Sequence, residues 1–279
     1  MSSSALTYLF DLERHGVKLG LENIRHLLDA TGNPQDTYPT VHIAGTNGKG
    51  SVAALIESVA LEAGLRVAKF TSPHLIDVCE RFVVDRMPIT HGELDEQIQF
   101  LRSVAEGMDP PPTFFEMNTA IAFRWFQQRK VDLAIIEVGM GGRFDSTNVI
   151  TPVSCAITNI ALEHTRFLGD TLAKIAFEKA GIIKPGVPVV IGERQTESLG
   201  VILERATALG APTFLIGRDF DVEAHGSSFS QTVSYRSPSL TIENAPLGLN
   251  GRYQAPNAAV AVALAEQLRD TFPRIDDQA

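Results

Sequence analysis

Seven consecutive residues, Gly45-Thr46-Asn47-Gly48-Lys49-Gly50-Ser51, combine the ingredients of a phosphate cradle. Glycines let backbone N–H groups approach an anion closely. A helix that follows aims its unpaired N–H groups and the positive end of its dipole at the same point. Lys49 adds a point charge suited to the β- and γ-phosphates of a nucleotide, and the Ser51 hydroxyl is a hard oxygen donor for Mg2+. The spacing departs from G-x-x-x-x-G-K-[ST], because Gly50 separates the lysine from the serine. A tight strand-to-helix turn would account for the glycines alone. With Lys49 and the flanking elements included, the segment reads as a phosphate-binding loop.

Further donors recur at the ends of predicted strands, where open α/β sheets bind their ligands. Thr71-Ser72-Pro73-His74 follows one strand, Glu137 closes a second before Gly139-Met140-Gly141-Gly142, and Glu163-His164 follows a third. Ser72, Glu137 and His164 together would suit divalent cations held mainly through oxygen. Each has a structural reading as well. Ser72 could cap a helix, Glu137 could pair with Arg143, and His164 could be a hydrogen-bonded surface imidazole. Three such residues at successive strand ends favour one shared site. Lys179 lies near the end of a helix, where a cation is favoured electrostatically, and its spacing alone suggests no further role.

These residues need a sheet to converge, and the pattern predicts one. Thr40–Ala44, Leu65–Phe70, Val131–Val138, Val153–Ile157 and Val187–Ile191 are short apolar runs. Helical periodicity covers Lys49–Ala63, Glu93–Glu106, Glu116–Gln128, Thr171–Ala180 and Pro256–Leu268. VDLAIIEV, almost continuously apolar, is typical of a parallel strand covered on both faces. The alternation predicts an α/β fold: a doubly wound, mostly parallel sheet with its phosphate loop after the first strand. Phe220–Leu249, rich in Ser and Thr, predicts a small antiparallel meander on the edge of that sheet.

The chain has 279 residues, 44% hydrophobic and 20% charged, enough to bury a substantial core. The net charge is −9 and no basic run stands out, which argues against nucleic acid and membrane surfaces as partners. Cys79 and Cys155 are too few for a disulfide framework, and neither sits in a C-x-x-C pattern. The first residues lack a basic, apolar leader, and no segment reaches the ~20 apolar residues of a membrane span. A cytoplasmic monomer is expected.

Taken together, the motifs resemble folylpolyglutamate synthase/dihydrofolate synthase, a branch of the Mur ligases. HIAGTNGKGS is similar to the family's phosphate loop, and TSPHL followed by ERF to its second signature. IIEVGMGGRFDSTN and LEHTRFLGDTLAKIAFEKAGIIKPG resemble the third and fourth, and KLGLENIRHLLDATGNP resembles the family's opening. The resemblance implies ATP-dependent, Mg2+-assisted amide ligation, in which L-glutamate is joined to dihydropteroate or a folate through an acyl phosphate. It implies ATP contacts at Asn47, Gly48, Lys49, Gly50, Ser51 and Asn257, and metal ligation by Ser51, Ser72, Glu137 and His164. It assigns catalytic roles to Lys49, His164 and Lys179, the last as a carbamylated lysine. The walls of the pterin site would be Leu19, Gly20, Leu21, Phe115, Glu116, Phe144, Asp145 and Ser146.

Glu163 stands where the family commonly has aspartate before the histidine, a conservative departure. The resemblance divides residues 1–279 into an N-terminal helical segment (1–39), an α/β core (40–217), a small β region (218–252) and a closing helix (253–272). It also implies a carboxy-terminal ligase domain beyond Ala279, which this sequence does not include. Two alternatives stay open: a nucleotide-binding module without turnover of its own, and another Mur-type ligase acting on a cell-wall precursor.

Overall fold

The computed structural model describes residues 4–16, 18, 20–227 and 230–277. Two short helices, α1 (Ser4–Asp11) and α2 (Glu22–Asp29), precede the first strand, β1 (Thr40–Ala44). The chain continues through α3 (Lys49–Glu62), β2 (Val67–Phe70), β3 (Phe82–Val84), β4 (Met87–Pro88), α4 (His91–Ala105), α5 (Phe114–Arg129) and β5 (Leu133–Glu137). Then come β6 (Ser154–Ile157), α6 (Thr165–Leu168), α7 (Leu172–Lys179), β7 (Val189–Ile191), α8 (Thr196–Ala208) and β8 (Thr213–Leu215). Strands β9 (Asp221–Ser227), β10 (Ser230–Arg236) and β11 (Thr241–Pro246) and helix α9 (Gln254–Leu268) follow. No helix among the described residues is long and apolar enough to cross a membrane.

Eight strands form one sheet in the order β4-β3-β2-β5-β1-β6-β7-β8. From β2 to β8 all pairings are parallel, while β3 and β4 add an antiparallel edge. Alternation in the central strands divides the core by face. Val41, Ile43, Leu133 and Ile135 point toward α3 and α9, and Ala134 and Ile136 toward α1, α2, α4 and α5. A third cluster covers β6 and β7 with α7 and α8. The chain leaves β1 toward β2 but leaves β6 toward β7, so the two adjacent strands diverge at their C-terminal ends. That is the switch point where such sheets bind ligands.

The predicted strands and helices all form, with ends shifted by one or two residues. Elements α8, β8 and the β3–β4 hairpin lie outside those that periodicity picks out. The hairpin turns at Asp85 and Arg86, with φ of 51° and 64°, a turn usually announced by Asn-Gly rather than by these residues. The meander is a separate three-stranded sheet in the order β11-β10-β9, not an extension of the main sheet's edge. It docks through Phe220 and Tyr235, whose phenol oxygen donates to Glu266 of α9.

Candidate functional site

Close packing makes glycine obligatory at two points of the loop spanning residues 45–51. Gly45 has φ 143°, and a Cβ there would lie 1.8 Å from Thr158 Oγ1. Gly48 caps α3 with φ 84°, and a Cβ would lie 2.2 Å from Asn257 Oδ1. The loop after β6 braces the loop after β1. Thr46 N donates to Asn159 O (2.8 Å), Asn47 N to Asn159 Oδ1 (3.1 Å), and Thr158 Oγ1 and Asn159 Nδ2 both donate to Asn47 O (2.7 and 3.0 Å). Lys49 Nζ donates to Gly45 O and Thr46 O at 2.9 and 3.2 Å, so the ammonium lies over its own loop. Ser51 occupies the first turn of α3, half-buried.

Glu137, at the end of β5, reaches the same turn: a Cβ on Gly50 would lie 3.8 Å from its Oε2. That oxygen accepts from Ser72 N at 3.2 Å, which ties the loop after β2 to the end of β5. Burial pushes the Glu137 carboxyl up to about 7, with Asp145 adding to the rise and Lys49 and Lys69 opposing it. Lys69 is ion-paired with Glu57. Among the described residues no cation lies within ion-pair distance of Glu137, and Arg143 pairs elsewhere. A carboxylate so placed is a good hard-cation ligand, because a divalent ion would compensate its desolvation.

Lys179 is the last residue of α7, yet its side chain crosses to the glycine loop after β1 rather than serving its own helix end. Nζ lies 2.6 Å from Glu163 Oε1 and donates to Gly45 O at 2.8 Å, in a site only 1% exposed. Burial lowers the lysine pKa against the pull of Glu163, and Lys49 lowers it further. Burial raises Glu163, but its hydrogen bond and ion pair with Lys179 bring the carboxyl below its ordinary value. Helix-end electrostatics, the role its spacing suggests, therefore does not explain Lys179. His164 stands beside Glu163, exposed, with a left-handed backbone (φ 44°) that starts α6. Among the described residues no hydrogen bond joins its ring to Ser72 or Glu137.

The loop Gly139–Asn148 is pinned from within. Asp145 Oδ2 accepts from Met140 N (2.9 Å), and its Oδ1 accepts from Thr147 N (3.0 Å) and Thr147 Oγ1 (2.5 Å). Because the Thr147 proton goes to Asp145, His42 Nε2, 2.8 Å from Thr147 Oγ1, must be the donor. Burial pulls His42 down to about 3, with Lys184 adding to it, which keeps this imidazole neutral. Arg143 makes a two-pronged pair with Glu178 (2.6 and 3.2 Å), its guanidinium over Phe144 and Phe177 at 4.2 and 5.0 Å. A Cβ on Gly181 would lie 2.4 Å from Arg143 Cα, so this loop and the end of α7 interlock.

The residues expected to wall a pterin site differ in exposure. Phe115 lies directly behind the turn after Glu137, where a Cβ on Gly139 would meet its ring at 2.4 Å. Phe144 is 38% exposed, whereas Asp145 and Ser146 are buried. Glu116 faces inward: its carboxylate accepts from Thr113 N (2.7 Å) and Asn23 Nδ2 (3.4 Å), closing a capping box on α5. Gly20 and Leu21 lead into α2, with Leu21 packed on the helical cluster. Leu19 lies outside the described residues.

Residues 43–265 match the family model of the Mur ligase middle domain. The chain belongs to the Mur ligase family. A dihydrofolate synthase/folylpolyglutamate synthase of Bacillus subtilis is 39% identical over 276 residues, 95% of this chain and 64% of that protein. A probable bifunctional folylpolyglutamate synthase/dihydropteroate synthase of Haloferax volcanii is 39% identical over 289 residues, 99% of this chain and 33% of that protein. The chain thus spans about a third to two thirds of these curated relatives. The apo form of L. casei FPGS matches with TM-score 0.91 at 36% identity, covering 97% of this chain and 69% of that one. A structure described as an FPGS-AMPPCP-folate complex matches with TM-score 0.88 at 36% identity and the same coverage.

In this Mur ligase domain, three features escape sequence reasoning. The Thr158–Asn159 brace follows a predicted strand and was findable by the same strand-end rule that singles out Glu137. The Lys179–Glu163 pair needs the tertiary fold, since the partners are 16 positions apart in sequence with α6 and most of α7 between them. His42 looks like one more core position of β1 until Thr147 is placed beside it.

Proposed function

We propose that this chain is the ATP-binding part of a ligase that joins L-glutamate to a pteridine-linked carboxylate, dihydropteroate or a folyl(poly)glutamate. One observation carries the reading: a braced glycine loop with Lys49 meets the buried Glu137, which has no ion-pair partner among the described residues, at the first turn of α3. The names of the relatives support the substrate class, and the AMPPCP and folate of the matching complex support the pair of ligands. The domain boundaries given above belong to the same proposal.

The residues fit a magnesium nucleotide. The loop's backbone N–H groups and Lys49 would hold the phosphates, with Asn257 against Gly48. Ser51, Ser72, Glu137 and His164 would supply ligands to Mg2+, which when bound offsets charge on the transferring phosphoryl group. Lys179, its ammonium disfavoured by burial, is proposed to give up one proton, attack CO2 through the neutral Nζ amine and release a second proton, so that the resulting carbamate would offer an anionic oxygen ligand. An oxygen of the acceptor carboxylate attacks the γ-phosphorus and the bond to ADP breaks. The glutamate amine then attacks the acyl carbon and loses a proton, and phosphate departs with its bridging oxygen. Lys49 would steady negative charge in the first step, while Glu137 and Ser72 would help to hold the metal ion beside it.

Calorimetric titration with AMPPCP and Mg2+ tests the binding half of this reading. Saturable, Mg2+-dependent binding that Lys49→Ala abolishes is the expected result, and no binding would overturn it. Single-turnover reaction with ATP, dihydropteroate and glutamate tests the chemistry. Glutamate-dependent ADP release supports the ligase. Nucleotide binding without such release supports a binding module instead, and failure to bind any pteridine favours a Mur ligase of another substrate class.

A further inference from the structure

A second set of ligating side chains lies between β2 and α4 and takes no part in the chemistry above. Asp77, Cys79 and His91 bring one donor atom each to within 4.8 Å of the others. His91 Nε2 lies 3.1 Å from Asp77 Oδ2, and His91 Nδ1 lies 3.7 Å from Cys79 Sγ. Their backbones are fixed before any ligand arrives. Asp77 Oδ1 accepts from Cys79 N (2.8 Å), and Glu80 accepts from the N–H groups of Leu75, Ile76 and Asp77 (2.8, 3.0 and 2.8 Å), which locks the turn Val78–Arg81. His91 opens α4 behind a capping box of Thr90 and Glu93.

The donor set discriminates among cations. A thiolate, an imidazole and a carboxylate select a borderline-soft, tetrahedral ion of the zinc class over Mg2+, which prefers six oxygens. Cys79 is buried, while the His91 and Asp77 side chains are 62% and 42% exposed, so an ion would have a route in and a side open to water. We propose that Asp77, Cys79 and His91 form a three-ligand site for a zinc-class divalent ion, with the fourth position taken by water. Such an ion would fasten the loop that carries Ser72 and His74 to the start of α4.

The same residues resemble a thiol, base and carboxylate relay, but the electrostatics point away from nucleophilic use. Burial, followed by the neighbouring Asp77, pushes the Cys79 thiol up to about 12, the opposite of an activated nucleophile. A divalent cation reverses that balance by neutralising Asp77 and displacing the thiol proton to solvent.

Cobalt(II) is the probe, because a thiolate ligand gives it a charge-transfer band that oxygen and nitrogen ligands do not. Titrating the reduced 279-residue chain should produce that band at one equivalent, and Zn2+ should then remove it by displacement. Cys79→Ser should abolish the band, and Cys155→Ser should retain it. His91→Ala should weaken Zn2+ affinity at least about tenfold. Asp77→Asn keeps an acceptor for Cys79 N and so preserves the turn; it too should weaken Zn2+ binding. Absence of the band in the unmodified chain, or its persistence in Cys79→Ser, would overturn the proposal, as would unchanged Zn2+ affinity in both His91→Ala and Asp77→Asn.

Discussion

Replacing the carboxylate at the end of β5 should make the protein more stable and less able to bind nucleotide. Glu137 is 5% exposed, and burial pushes its carboxyl up to about 7 from an ordinary 4.5. An unfolded chain ionises this group near pH 4.5, while the folded chain keeps its proton until about pH 7. Rising pH through that window therefore favours the unfolded state, and above it the whole difference applies. A gap of about 2.5 pH units corresponds to about 3 kcal/mol. Glu137→Gln keeps the side chain's size and an oxygen to accept from Ser72 N, but removes the buried charge. Urea denaturation should show it more stable than the parent by about 2–3 kcal/mol at pH 8, shrinking to under about 1 kcal/mol at pH 5. Calorimetry at pH 8 should show Mg2+-dependent AMPPCP binding lost. A variant less stable than the parent at pH 8, or a gain equal at both pH values, would refute the argument that Glu137 is a desolvated carboxylate retained for a ligand.

Three further outcomes follow from the same contacts. Gly48→Ala combines a left-handed backbone with a methyl 2.2 Å from Asn257 Oδ1, so it should cost about 1–2 kcal/mol in urea denaturation and abolish AMPPCP binding by calorimetry. His42, pulled down to about 3 from 6.5, contributes stability that is full above pH 6.5 and lost as pH falls toward 3. His42→Gln should remove about 2 kcal/mol of the stability difference between pH 8 and pH 5, measured by the same titrations. Gly181→Ala would place a methyl 2.4 Å from Arg143 Cα, backbone that cannot rotate away, and should cost about 1–3 kcal/mol and lower the thermal midpoint.

Local patterning was enough to establish β1, β2, β5, β6 and β7, helices α3, α4, α5, α7 and α9 and the glycine loop after β1, because each depends on residues within one or two turns of one another, but it missed α8, β8 and the β3–β4 hairpin. The burial of VDLAIIEV and the glycine-lysine run after Thr40–Ala44 are local facts of this kind. So is the likeness of four motifs to one family, which the Mur ligase match confirms. What those residues meet was not legible. β1 slips between β5 and β6, and that strand order alone brings Glu137 over Gly50 and Asn159 against Thr46. Arg143 chose Glu178 rather than Glu137 because the loop after β5 packs onto the end of α7, where Gly142 and Gly181 permit backbone to touch backbone. Lys179 looked like a helix-end cation, since helical spacing describes one helix and its target belongs to another loop. His42 became a hydrogen-bond donor only once Thr147 and Asp145 folded beside it. Periodicity is fixed by neighbours in sequence, whereas pairing and protonation are fixed by neighbours in space, which no single stretch of this chain contains.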